Sequence, residues 1–342
     1  MYPSRRQFVQ WSAASGFGCV ARAAPPPGDA LTLFIWSGYV PPETLSAFST
    51  EHGVQVVLET YESNEELVAA LRAEPGRYDL VVPSCDTLPG LVRAGLLQPL
   101  RRDLLPNREH LADLFWENPY DPGDRFSVPY LWGTTGLAWR SDKVTLVPAS
   151  WRVFHKSALA RRMTQLDDPH DAIGAWLKFR AYSINSADPA ELAVAKSDAL
   201  LAKANLRAYR SAPVKKDLIS GEVWIAQLWN GDAAQAALEE PAIRYVIPDE
   251  GSSLWTDCVA VPRGARNPVA AHAFIDFVHR PEVAAAIARF THYGTPNASA
   301  NALLERPTAF PTTRELFQLE FFGDLGESRP VWDAIWRELR AD

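Results

Sequence analysis

The segment Ser252-Ser253-Leu254-Trp255-Thr256-Asp257-Cys258-Val259-Ala260-Val261-Pro262 holds an acid where an acid is expensive. Cys258–Val261 reads as a short buried strand, apolar, β-branched and closed by proline, with Asp257 at its mouth two residues after Trp255. A carboxylate left unpaired there would be costly, so the pattern calls for a compensating partner. Catalytic motifs do not supply one. The sequence has no G-x-S-x-G, no H-E-x-x-H and no Walker loop, and its one G-x-G, Gly16-Phe17-Gly18, lies in the N-terminal segment. The seven histidines (52, 110, 155, 170, 272, 279 and 292) show no metal-ligand spacing, and His272 and His279 read as helix-face residues. Neither metal nor cofactor is expected. An acid pair for glycoside cleavage is the enzymatic alternative. Acids interleaved with aromatics serve binding better, and a binding protein rather than an enzyme is the expectation.

The elements that must position these residues alternate in type. Leu31–Trp36 is a strand, and Pro41-Pro42 opens a helix bearing Leu45 and Phe48 that stops near Gly53. Val54–Leu58 is a second strand, Ser63-Asn64-Glu65-Glu66 is a capping box leading into a helix through Leu71, and Tyr78–Ser84 is a third strand. Strand and helix alternating at this spacing predict an α/β fold with a parallel sheet and helices on its faces. In such sheets a ligand sits beyond the carboxyl ends of the strands, which puts Trp36–Tyr39 and Ser84–Asp86 on one crevice. The middle block, from about Arg140 to Val259, continues in α/β fashion with new elements, 221–229 ending in a strand and 245–248 forming another. Two amphipathic helices follow, at about 268–279 and 281–290.

The totals set the frame. A chain of 342 residues is about right for two domains, and 47% hydrophobic with 22% charged residues is an ordinary globular composition. Ser4-Arg5-Arg6-Gln7-Phe8, a weakly apolar stretch to Val20 and Ala21-Arg22-Ala23 resemble a twin-arginine export signal cut after Ala23. Cys19 would permit a lipid anchor, but the residues before it make a poor lipobox, so a cleaved, exported protein is expected. Residues 1–23 carry three arginines and no acid, so their removal takes the formal charge from −7 to −10. That excess of acid argues against nucleic acid and for a cationic ligand. Only Cys85 and Cys258 remain. Buried free thiols are the expectation, with a bridge between them as the alternative in an oxidising compartment.

The runs "WSGYVPPETLSAFSTEHGVQVVLETYESNEELVAAL", "YDLVVPS", "VPYLWGTTGLAW", "LWNGDAA", "LWTDCVAVP" and "HYGTPN" together resemble the bacterial polyamine-binding proteins, of the spermidine/putrescine type, that serve ABC importers. The resemblance implies a two-lobed type II periplasmic binding fold with a ligand cleft between the lobes. It implies lobes of 31–138 with 262–300 and 140–259 with 301–342, crossing near 138–140 and 259–262, in a monomer that hands its ligand to a membrane permease. Carried over residue by residue, Trp36, Tyr39, Trp229, Trp255 and Tyr293 are aromatic walls along a polyamine's methylenes, with Ser37 beside them and Ser84 a hydroxyl acceptor. Asp257 and Asp171 match amine-binding carboxylates, Asp168 an acid of spermidine-preferring members and Asp232 one of putrescine-preferring members. Gly38 departs from an acidic position, Asp86 from an aromatic one, where it could supply the missing charge, and Phe322 falls where an amide is expected. Each acid also has a simpler reading. Asp168 and Asp171 could cap a helix beginning near Pro169, Asp232 the helix after Gly231, and Asp86 the helix through Leu88 and Leu91. Tyr39 could be a helix-start staple. The remaining tryptophans read as packing or surface.

Overall fold

The computed structural model describes residues 30–117, 120–211, 213–305 and 311–341. The export signal read over 1–23, Cys19 included, lies outside them. The described residues form ten strands: β1 Ala30–Trp36, β2 Gln55–Tyr61, β3 Leu80–Val81, β4 Ser127–Arg140, β5 Met163–Gln165, β6 Leu206–Tyr209, β7 Ile225–Trp229, β8 Ile243–Val246, β9 Ser252–Ala260 and β10 Leu319–Phe321. Their hydrogen-bonded order is β2-β1-β3-β9-β4-β7-β5-β6, with β10 on β9 and β8 on β4.

β1 lies parallel to both β2 and β3, as the alternation predicted. The helix between β1 and β2 runs Pro42–His52 and stops at Gly53, whose φ of 67° is the left-handed conformation that glycine adopts without penalty. The helix Asn64–Ala73 is capped by Ser63, which accepts from the Glu66 amide. The return arm of the capping box shifts by one residue, because the Glu66 carboxylate takes the amide of Glu62 rather than that of Ser63.

Two long strands join two α/β bodies. All of β4 is buried, and its partners change along its length: to Thr134 it pairs antiparallel with β9, and from Thr135 with β7 and then β8. One core gathers Leu31, Leu33, Phe48, Val259 and Phe274; the other gathers Trp151, Trp176, Ile225 and Trp332. The C-terminal helix Arg329–Arg340 returns to the second core, burying Trp332 and Leu339 completely.

Two expectations are corrected. The strand at Cys258 is longer than its apolar run: β9 begins at Ser252 and is buried throughout. Its polar residues hid it; some are held by partners in the interior, as when Ser253 donates to Asp171 at 2.9 Å, while the buried Thr256 hydroxyl has none among the described residues. Cys85 and Cys258 are bridged, with Cα atoms 5.8 Å apart, rather than free. Ser84 and Asp257 face each other across an antiparallel bridge, which sets the following cysteines side by side. His272 and His279 are 3% exposed and turned inward. His272 Nε2 accepts from the Arg101 amide, and the two ring nitrogens of His279 reach the carbonyls of Ile275 and Pro129.

Candidate functional site

The carboxyl ends of β1 and β2 and the turn after β3 open onto a cleft whose opposite wall comes from the second body. At its floor lies Asp257, 3% exposed. Tyr39 Oη donates to Asp257 Oδ2 at 2.7 Å and Ser84 Oγ to Oδ1 at 2.8 Å. Both partners are neutral hydroxyls. Burial pushes the Asp257 carboxyl up to about 7 against the pull of those two donors, and the charge of Asp86 adds to the rise. Tyr39 is therefore a ligand of the acid rather than a staple.

The aromatic walls meet around this acid. Trp36, Trp229, Trp255, Tyr39 and Tyr293 all line the cleft. The Trp255 and Tyr293 rings lie edge to face at 5.1 Å, and Tyr39 and Tyr293 tilt together at 5.5 Å. Two glycines make the packing possible. A Cβ on Gly231 would lie 2.4 Å from the Tyr293 ring, and one on Gly133 would lie 2.4 Å from Trp255.

Ser37 and Ser84 are on the lining, with Asp168 and Asp232 on the facing wall. Asp168 does both things the sequence allowed. It caps the helix Pro169–Phe179 by accepting from the Asp171 amide at 2.9 Å, and it faces the cleft. Burial and the charge of Asp171 hold its carboxyl up at about 7. Asp232 caps nothing: it sits in the first turn of the helix Asn230–Glu239 and meets Lys215 Nζ at 3.4 Å. Burial raises its carboxyl while Lys215 pulls it down.

Two anticipated residues lie elsewhere. Asp171 stands behind the wall, accepting from Thr135 Oγ1 at 2.7 Å, Ser253 Oγ at 2.9 Å and Trp229 Nε1 at 3.0 Å. It aims the Trp229 ring and has its oxygens occupied. Asp86 neither caps the following helix nor faces the cleft; it pairs with His170 Nδ1 at 3.0 Å, in a second pocket. Phe322 is buried against His170, with ring centroids 5.0 Å apart.

Several lining residues were missed, among them Glu62, Asn64, Ser211, Lys215 and Gln235. Glu62 follows β2, so the rule that found Trp36 and Ser84 would have found it. It receives Ser37 Oγ at 2.6 Å and supplies an acid on the wall where Gly38 lacks one. Lys215 and Gln235 gave no local signal, since helix residues reach the cleft only through the packing of their helices. Among the described residues no cluster of three or more histidines, cysteines or acids is arranged to hold a metal ion, and no helix is long and apolar enough to cross a membrane.

The family model for bacterial extracellular solute-binding proteins matches residues 43–313. The chain is 32% identical over 320 residues to the spermidine/putrescine-binding periplasmic protein of Salmonella typhimurium, covering 92% of each. It is 34% identical over 293 residues to a putrescine/agmatine-binding protein of Pseudomonas aeruginosa, covering 80% of each. Among solved structures, the spermidine/putrescine ABC transporter substrate-binding protein of Streptococcus pneumoniae superposes with a TM-score of 0.80 at 28% identity, covering 92% of this chain and 100% of that one.

Proposed function

This chain belongs to the bacterial extracellular solute-binding protein family, and from that premise we propose that it is a periplasmic receptor for a polyamine, serving an ABC importer. The observation that carries the reading is Asp257: a carboxylate buried at the floor of an aromatic cleft with two hydroxyls and, among the described residues, no cation paired with it. A ligand ammonium is the missing partner. Over an aromatic face it gains about 0.5–2 kcal/mol, and a charge-assisted hydrogen bond adds roughly 1.5–3 kcal/mol. Aromatic walls between acids match a hydrocarbon chain between ammonium groups.

The ligand contacts would be Trp36, Ser37, Tyr39, Ser84, Trp229, Trp255, Asp257 and Tyr293, with Asp168 and Asp232 on the second lobe. Asp171 would act through Trp229, and Asp86 through the contact between lobes. The lobes would be 31–138 with 262–300 and 140–259 with 301–342; β4 changes partners at Thr135, a few residues before the crossing at 138–140. Export by the twin-arginine route, action as a monomer, and delivery to a membrane permease complete the reading. No nucleic acid takes part, and the bound amine leaves unchanged.

The test is calorimetric titration of protein refolded free of carried-over ligand, against putrescine, cadaverine, agmatine, spermidine and spermine. Tight binding of one or two of these is expected. Asp257→Asn should cost tenfold or more in affinity, about 1.4 kcal/mol per decade, with the fold retained. Wild-type affinity in that variant would sink the assignment.

A further inference from the structure

Glu62 follows Tyr61, the last residue of β2, which is in register with Trp36 at the end of β1. Its carboxylate therefore stands beside Ser37 at the lip of the first wall, where Ser37 Oγ donates to Oε1 at 2.6 Å. That partner is neutral. Its charge is felt on the opposite wall, where it adds to the rise of the Asp232 carboxyl. Asp232 already has a cation. Lys215 Nζ donates to it at 3.4 Å and to Gln235 Oε1 at 2.7 Å, and Gln235 is held in turn by its Nε2 on the Thr291 carbonyl at 2.8 Å. Of the cleft acids Glu62, Asp168, Asp232 and Asp257, only Asp232 forms an ion pair among the described residues, which leaves three carboxylates for a ligand.

We propose that Glu62 is a ligand carboxylate, the third ammonium seat of the cleft after Asp257 and Asp168, and that it matches the cleft to a triamine. The proposal rests on the polyamine reading above and narrows it. Closing the lobes takes water from around these acids, and a carboxylate shut in without a counter-charge is costly. Burial already raises Asp257 and Asp168, so a ligand's first two ammonium groups gain most there, where water is scarcest. A diamine is then used up and a triamine has one ammonium left. At the lip of the first wall Glu62 is the acid that can take it: position 38 is glycine, and Asp86 is turned to His170. Glu62 is exposed, so the isosteric Glu62→Gln removes its charge without opening a core cavity.

The test compares ligand-free wild type, Glu62→Gln and Glu43→Gln by calorimetry with putrescine, cadaverine and spermidine at one pH and ionic strength. Glu43 is exposed on the helix Pro42–His52, away from the cleft lining, and its variant removes the same charge from the same lobe. The wild type should bind spermidine more tightly than either diamine. Glu62→Gln should lower the spermidine association constant roughly fivefold or more and leave that of putrescine within about twofold. Glu43→Gln should leave the ratio of the two where it is in the wild type. A wild type that prefers a diamine overturns the proposal and leaves the polyamine reading intact. So does a spermidine affinity that Glu62→Gln does not change, or one that falls no further than the putrescine affinity. The same loss in Glu43→Gln would assign the effect to the overall charge and overturn the proposal too. Absence of amine binding in all three proteins ends both readings.

Discussion

Asp257 holds a proton across part of the neutral range, because burial lifts its carboxyl from the ordinary 3.8 to about 7. Between roughly pH 4 and pH 7 the folded protein keeps a proton that the unfolded chain has released, so ligand-free stability should fall as pH rises through that window. The full contribution is on the order of 4 kcal/mol. Denaturant titrations from pH 5 to 8 should show the fall, and Asp257→Asn should flatten it. An equally steep fall in the variant would assign the effect to other acids, Asp168 first. Ligand binding runs the other way, since an ammonium needs the carboxylate: affinity should rise about tenfold between pH 6 and pH 8. This residue was legible in the sequence because an acid beside an apolar run is a local anomaly. The place of Asp171 was not legible, because its three donors, Thr135, Trp229 and Ser253, come from distant segments and occupy it behind the wall.

At the scale of elements, the parallel start of the sheet was legible from the alternation of strands and helices. The rule of carboxyl ends then put Trp36, Tyr39 and Ser84 on one crevice. β4 and β9 were not legible at their true lengths. Their buried threonines, serines and Asp257 break the apolar run, and distant partners, such as Asp171 for Thr135, hold several of those polar groups inside. The disulfide stood only as the alternative to free thiols for a related reason: nothing local says that the end of β3 lies against β9 across 173 residues of chain. That bridge ties together the two segments that carry Ser84 and Asp257. Replacing both cysteines by alanine should lower stability by about 2–4 kcal/mol, read by chemical denaturation under non-reducing conditions. It should also weaken ligand binding severalfold, because the Ser84 hydroxyl is then held less firmly against Asp257. Unchanged stability would mean that the thiols are free in solution.

At the scale of the molecule, the two bodies meet through β4 and β9 and through ion pairs across the gap between them. Arg329 reaches Glu65 at 3.3 Å from an exposed position, and such a pair is worth little. Asp86 and His170 are different: their side chains are 13% and 11% exposed, and they join the turn after β3 to the helix Pro169–Phe179. Burial lowers the His170 imidazole, but the hydrogen bond and charge of Asp86, aided by Asp168 and opposed by Arg329, outweigh it and leave the ring raised above 6.5. A raised histidine contributes fully below its unfolded value and loses that contribution as pH climbs through the folded one. The bridge should therefore favour the arrangement in which these two segments meet, the closed one for a two-lobed receptor, in mild acid and release it in base. Protonation of Asp257 and Asp168 also eases closure in acid, so pH alone does not isolate the pair; a variant does. Small-angle scattering of ligand-free protein should find His170→Gln less compact than wild type at pH 6, with the two converging by pH 9. Asp86→Asn should behave likewise, and both should speed ligand release without touching the ligand. Equal compactness at pH 6 would mean that the pair packs the interface without driving its closure.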